Sequence, residues 1–260
     1  MNSIVLDQVS VEVVVDGAAG SKVLLTGISL TLTEQRVGVI GANGSGKSTL
    51  LRLLNGLVEP SSGRVTIKGK DTLRDVRSVR REVGFVFTDP LSQLVMPTGR
   101  EDVELSLRRS IRNSHERRRI AESTLERFGL LPLADQSIYE LSGGERQLLA
   151  LATVLAVEPS VLVLDEPSTL LDLRNRELLR RTVAGLEQQV VMSTHDLELV
   201  QDMDRVLVVD NGRIVFDGAP GAAVAHYRQL SATSLPPLPP AAPAVQEARE
   251  PLGAHPGDYQ

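Results

Sequence analysis

The stretch Arg36-Val37-Gly38-Val39-Ile40-Gly41-Ala42-Asn43-Gly44-Ser45-Gly46-Lys47-Ser48-Thr49 decides the fold. Residues 36–40 read as a short buried strand. Gly41 to Ser48 match the pattern G-x-x-x-x-G-K-[ST]. Residues 47–57 read as a helix whose apolar stripe is Leu50, Leu51, Leu53, Leu54 and Leu57. Strand, glycine loop and helix in that order make a phosphate cradle. Glycines let the backbone wrap so that successive N–H groups point at phosphate oxygens, and the helix N-terminus adds partial positive charge. Gly41, Asn43, Gly44, Ser45, Gly46, Lys47, Ser48 and Thr49 are therefore the candidate nucleotide-binding residues. Lys47 is placed to reach the β- and γ-phosphates, and the Ser48 hydroxyl to ligate Mg²⁺.

Further along the chain, Val161-Leu162-Val163-Leu164-Asp165-Glu166-Pro167 is an apolar strand ending in two carboxylates. Ligands of a parallel sheet sit at the carboxyl ends of its strands. Asp165 there can hold Mg²⁺, and Glu166 is the natural general base for the water that attacks a γ-phosphate. His195, in Ser193-Thr194-His195-Asp196, follows another apolar strand, so it reaches the same edge, where it can orient that water. Between these elements lies Leu141-Ser142-Gly143-Gly144-Glu145. Ser142 opens a helix over residues 145–157, and its hydroxyl with the following N–H groups would make a second anion site.

The rest of the chain supports an α/β fold. Residues 4–15 and 23–32 read as strands joined by a turn near Gly17–Gly20, and residues 63–68 and 83–87 as further strands. Residues 101–112 and 115–128 form charged helices of a helical subdomain. Strands at 161–164, 190–193, 206–209 and 213–216 alternate with helices at 173–186, 197–203 and 219–230. That alternation argues for a mostly parallel sheet with crossovers. Residues 231–260, rich in proline and alanine, read as a disordered tail.

Composition narrows the function classes. A hydrophobic fraction of 42% suits a globular chain, and 260 residues fit one α/β domain. The net charge of −5 gives no basic stripe for nucleic acid. With no cysteine there is no disulfide or thiolate metal site, as expected of a reducing cytosol. No basic region followed by an apolar run marks a secretory signal, and no apolar run approaches the about 20 residues of a membrane span. Any work at a membrane is done from its surface.

In combination, these motifs resemble those of the ATPase subunits of ABC transporters, over residues 3–230. The resemblance implies a P-loop NTPase core with an N-terminal antiparallel β subdomain and a helical signature subdomain. It implies ATP and Mg²⁺ as cofactors. Ser142, Gly143 and Gly144 would contact the γ-phosphate of ATP held by a second ATPase subunit, identical or related, with Ser168–Asp172 crossing the dimer interface. The segment from Phe87 to Leu94, with Glu101-Asp102-Val103, is similar to the ATPases of energy-coupling-factor importers, which take up vitamins and transition-metal ions. There, a Gln at the position of Gln93 lies in a short helix lining the groove for a transmembrane coupling subunit. The other implied partner is a substrate-binding membrane subunit, and the implied location is the cytoplasmic face of the membrane.

The chain departs from the family pattern around the nucleotide. Val13 stands where an aromatic stacks on adenine, Thr88 replaces a Gln, Glu145 replaces the last Gln of the signature, and Gln147-Leu148-Leu149-Ala150 lacks the usual basic residues. These changes leave open a structural partner subunit that sandwiches ATP without turning it over. A soluble family member acting on DNA or ribosomes would carry a coiled-coil insertion or a tandem second domain, and this chain has neither. Lys47, Asp165, Glu166 and His195 are all present, so hydrolysis is the expectation.

Overall fold

In the computed structural model, residues 3–14 and 20–233 are described. The turn expected near residues 17–20 therefore lies largely outside them, as does the tail from residue 234 onward. Two sheets form. The first is antiparallel, in the order Ser21–Leu32 (β2), Ile4–Val14 (β1), Ser62–Ile67 (β4), Lys70–Asp71 (β5). The second has the order Arg213–Gly218 (β10), Arg205–Asp210 (β9), Arg36–Ile40 (β3), Gln189–Ser193 (β8), Val161–Asp165 (β7), Val83–Val86 (β6). All its pairings are parallel except that of β9 with β10. The helices are Lys47–Leu54 (α1), Val76–Glu82 (α2), Gly99–Leu107 (α3), Ser114–Arg127 (α4), Gly143–Leu155 (α5), Leu173–Gly185 (α6), Leu197–Val200 (α7) and Pro220–Thr233 (α8).

The six-stranded sheet lies between two cores, which is why its central strands are apolar at every position. Along β7, Val161 and Val163 face the core shared with α1 and the antiparallel sheet, while Leu162 and Leu164 face the core built with α3, α4, α5 and α6. Val191 of β8 and Leu207 and Val209 of β9 join the first core; Val190, Met192, Val206 and Val208 join the second. Both faces being occupied, the edge at the strand C-termini is the place left for polar chemistry.

Several boundaries differ from those expected. The helix from Lys47 stops at Leu54 rather than residue 57. Gly56 adopts φ +61°, its N–H donates to Leu53 O at 3.2 Å, and the Leu57 N–H donates to Arg52 O at 3.0 Å. This pair of bonds is a glycine-terminated C-cap, and it leaves Leu57 exposed. The helix expected over 101–112 begins at Gly99, capped by the Thr98 hydroxyl, and ends at Leu107. The last helix continues to Thr233, past the expected domain limit at residue 230. Helix α2 is unannounced by the sequence, because Val79 is its one buried residue and no apolar stripe marks it.

Glu82, at the end of α2, ties three elements together. Its carboxylate accepts from Ser160 Oγ at 2.7 Å, Lys70 Nζ at 2.9 Å and Lys68 Nζ at 3.0 Å. These bonds, the Ser160 hydroxyl first among them, lower its pKa to about 2. A carboxylate whose folded pKa is depressed stabilises the fold above its unfolded pKa and loses that contribution as pH falls through the folded one. Glu82→Gln is therefore expected to cost about 1–2 kcal/mol at neutral pH. The difference from the parent chain should shrink between pH 4.5 and about 2, as read by urea melts across that range.

Candidate active site

Strand register assembles the site. Val39 of β3 pairs with Ser193 of β8, and Ser193 pairs with Asp165 of β7. The ends of three neighbouring parallel strands thus lie side by side, and each chain segment then departs from the same edge. From β3 the chain enters the glycine loop. A side chain at Gly41 would place its Cβ 2.1 Å from Val209 O, so the loop passes hard against β9. The turn between β9 and β10 clamps it from outside, with the Gly212 N–H donating to Ser45 O at 2.8 Å.

The loop delivers an anion site. Helix α1 starts at Gly46, which offers no side-chain cap, and its first turn holds no acid. Helices α3, α4, α5, α6 and α7 are each capped by their own side chains, from Thr98, Asn113, Ser142, Asp172 and Asp196. Ser45 Oγ is buried without a hydrogen-bond partner. An uncapped helix start and an orphaned buried hydroxyl in one glycine loop fit phosphate oxygens. Lys47, buried beside them, donates from Nζ to Gly41 O at 2.9 Å and Ala42 O at 3.0 Å.

Opposite Lys47 stand the carboxylates. Asp165 Oδ1 accepts from Ser48 Oγ at 2.9 Å and Ser193 Oγ at 2.8 Å. Glu166 adopts φ +51°, a strained conformation for a residue with a side chain. Its N–H is held by donation to Ser193 Oγ at 3.0 Å. Its Oε2 lies 2.7 Å from His195 Nδ1 and accepts from the His195 N–H at 3.2 Å, and its Oε1 is 3.9 Å from Lys47 Nζ. Lys47, Ser48, Asp165, Glu166 and His195, distant in sequence, are thus brought together. A cleft of about 400 Å³ opens over them, lined by Asn43, Gly44, Gly46, Lys47, Ser48, Thr49 and Glu166.

Its outer wall holds residues the sequence did not single out: Lys22, Val23 and Leu24 of β2, with Asn211 and Gly212. Val13, expected at the base position, pairs with Lys22 in the β1–β2 ladder but does not line the cleft. Asn211-Gly212 is legible as a hairpin turn, and nothing in the sequence brings it to the glycine loop. Thr88 donates from Oγ1 to Asp165 O at 2.9 Å, so it touches the backbone of the carboxylate strand. Gln93 follows the 3-10 turn Pro90–Ser92 rather than lying within it. Its amide is engaged at both ends, accepting from the Phe87 N–H at 3.4 Å and donating to Ala150 O at 2.9 Å.

The signature residues lie elsewhere. Ser142 lines a separate cleft of about 710 Å³ with Glu145, Asp172 and Asn175, which shares no lining residue with the first. Gly143 and Gly144 pack against the loop at Leu170. One copy of the chain therefore does not bring Ser142 to Lys47.

The ABC transporter family model matches residues 25–169. The chain belongs to the ABC transporter ATPase family. It is 45% identical to the biotin transport ATP-binding protein BioM of Rhizobium etli, over 82% of this chain and 95% of the relative. It is 40% identical to the cobalt import ATP-binding protein CbiO of Syntrophus aciditrophicus, over 76% of this chain and 73% of the relative. Among solved structures, cbiO1 of Clostridium perfringens, part of the transporter complex cbiONQ, matches at a TM-score of 0.73 and 29% identity, covering 88% and 93% of the two chains. A dimeric cassette in a post-hydrolysis state with ADP and Pi matches at 0.78 and 28% identity, covering 84% of this chain and 98% of that one. The resemblance to energy-coupling-factor ATPases is borne out by these relatives, and the P-loop α/β fold by these structures. The chain is an ATP-hydrolysing ABC cassette.

The glycine loop of this cassette gives a graded test of its packing. Gly44 has φ +78° and open space around it, so Gly44→Ala should cost about 1 kcal/mol, or about 3 °C in melting temperature. Gly41→Ala drives a methyl into Val209 O and should cost about 3 kcal/mol or more. Equal melting temperatures for the two variants would contradict the geometry described.

Proposed function

We propose that this cassette powers an importer of the energy-coupling-factor type, which takes up a vitamin such as biotin, or cobalt or nickel. ATP closes a dimer of ATPase subunits and hydrolysis reopens it. The juxtaposition that carries the proposal is Glu166, with one carboxylate oxygen on His195 Nδ1 and the other facing Lys47 at the mouth of the phosphate cleft.

Each residue has a definable task. The bare start of α1 and Ser45 Oγ receive phosphate oxygens. Lys47 exchanges its carbonyl partners for the β- and γ-phosphates. Ser48 and Asp165 supply hydroxyl and carboxylate oxygens 2.9 Å apart, a hard donor pair that fits Mg²⁺ completed by phosphates and water. Bound there, Mg²⁺ neutralises charge on the transferring phosphoryl group. Glu166 takes a proton from the water attacking the γ-phosphorus, as the bond to the bridging oxygen of ADP breaks. His195 orients Glu166 and that water. Ser142, Gly143 and Gly144 meet the γ-phosphate on the second subunit, identical or related. The joining of lysine and histidine to the two oxygens of one candidate base favours turnover over a purely structural partner role.

The membrane partners are a transmembrane coupling subunit and a substrate-binding membrane subunit, met at the cytoplasmic face. Among the described residues, no helix is long and apolar enough to cross a membrane. A groove of about 390 Å³ between β6 and α5, lined by Phe85, Phe87, Gln93, Val154 and Val157, is the surface offered to the coupling subunit. The relatives named for biotin and cobalt support the cargo class.

Lys47→Ala and Glu166→Gln should each lower Mg²⁺-dependent phosphate release from ATP about 10²–10⁴-fold, while EDTA abolishes it in the parent chain. Parent-like turnover in both variants would sink the assignment.

A further inference from the structure

Two helix ends flank the ATP of the proposed shared site, and they are opposite in character. The start of α1 has no side-chain cap and no acid in its first turn. The start of α5 is already occupied. Ser142 Oγ accepts from the Glu145 N–H at 3.3 Å, and Glu145 Oε2 accepts from the Ser142 N–H at 2.7 Å. Among the described helices, α5 alone closes this reciprocal box. Glu145 thus sits in the positive end of the α5 dipole, beside the residues that are to receive a phosphate from the partner's ATP. A helix start serves one anion well, and a second anion beside it meets like-charge repulsion.

We propose that Glu145 sets the threshold for closure. Its carboxylate opposes the phosphates that Ser142, Gly143 and Gly144 engage, so the dimer closes at a higher ATP concentration than an uncharged residue would require. Glu145 is a positioning residue; it takes no part in bond breaking. The inference rests on the shared-site reading given above.

The chemistry offers a clean separation of charge from structure. A capping box accepts glutamate or glutamine, because either offers an oxygen to the N-cap N–H. Glu145→Gln keeps the bond to Ser142 and removes the charge. Glu145→Asp keeps the charge and shortens the reach.

The test uses the full chain in a Glu166→Gln background, in which slowed hydrolysis should leave ATP bound. Dimer formation is followed by sedimentation velocity while MgATP is titrated. Adding Glu145→Gln should lower the half-maximal ATP concentration about tenfold, with the nucleotide-free melting temperature unchanged. Glu145→Asp should lower that melting temperature without lowering the half-maximal concentration. A fall of less than about threefold with Gln, or an equal fall with Asp, overturns the proposal and leaves the shared site standing. If no protein in the series dimerises with MgATP, the shared site fails and this proposal fails with it.

Discussion

The carboxylate of Asp165 accepts from two hydroxyls at once, Ser48 on α1 and Ser193 on β8, and the site is built around that knot. Asp165 is 1% exposed, so an unpaired charge there would be costly. The two hydroxyls satisfy it, and in doing so they fix the start of α1 relative to the carboxylate strand. Register makes the knot possible: Val39, Ser193 and Asp165 are neighbours across three parallel strands. A slip of one residue would exchange the two faces of a strand and bring Leu164 to the edge in place of Asp165. The paired apolar cores resist such a slip, since Val161, Leu162, Val163 and Leu164 of β7 are each already matched to one of them.

Strain is concentrated one residue further on. Glu166 is held at positive φ by bonds from its N–H to Ser193, and its side chain is drawn to His195. Ser193 therefore does two jobs, orienting Asp165 with its hydroxyl hydrogen and Glu166 with its hydroxyl oxygen. The carboxylate that completes the knot and the carboxylate that faces the cleft are adjacent in sequence but point to different partners. That division follows from the turn at Glu166: an extended backbone would send successive side chains to opposite faces, into one core or the other.

Much of this was legible in the sequence, for a reason specific to parallel sheets. Each apolar strand delivers the residues that follow it to the same edge, so the sequence pattern alone groups Gly41, Asp165 and His195. What the sequence hid came from segments with no polar signal or no local signal. Val23 and Leu24 read as ordinary strand residues and reach the cleft because β2 crosses over the loop. Helix α2 buries one residue and so shows no period. Val13 stands at the base position by family register; across the β1–β2 ladder it pairs with Lys22, which lines the cleft, while Val13 itself does not. The capping box is a different case. Ser142 and Glu145 stand at the S-x-x-E spacing of a capping box, and the same two residues belong to the signature, so one stretch of sequence carries both signals.

Thr88 and Gln147 tie the segment that borders the groove to the carboxylate strand and to α5. The Thr88 hydroxyl holds the carbonyl of Asp165. Gln147 donates from Nε2 to Phe87 O at 3.3 Å, and Gln93 donates to Ala150 O, so side chains from the loop and from α5 each grip the other's backbone. The segment from Phe87 to Gln93 is thus fastened to the end of β7 and to the signature helix together. A displacement of that segment by a partner in the groove would load both attachments at once, because neither bond can lengthen far before it is lost. Each of these attachments ends on a backbone carbonyl, that of Asp165, Phe87 or Ala150.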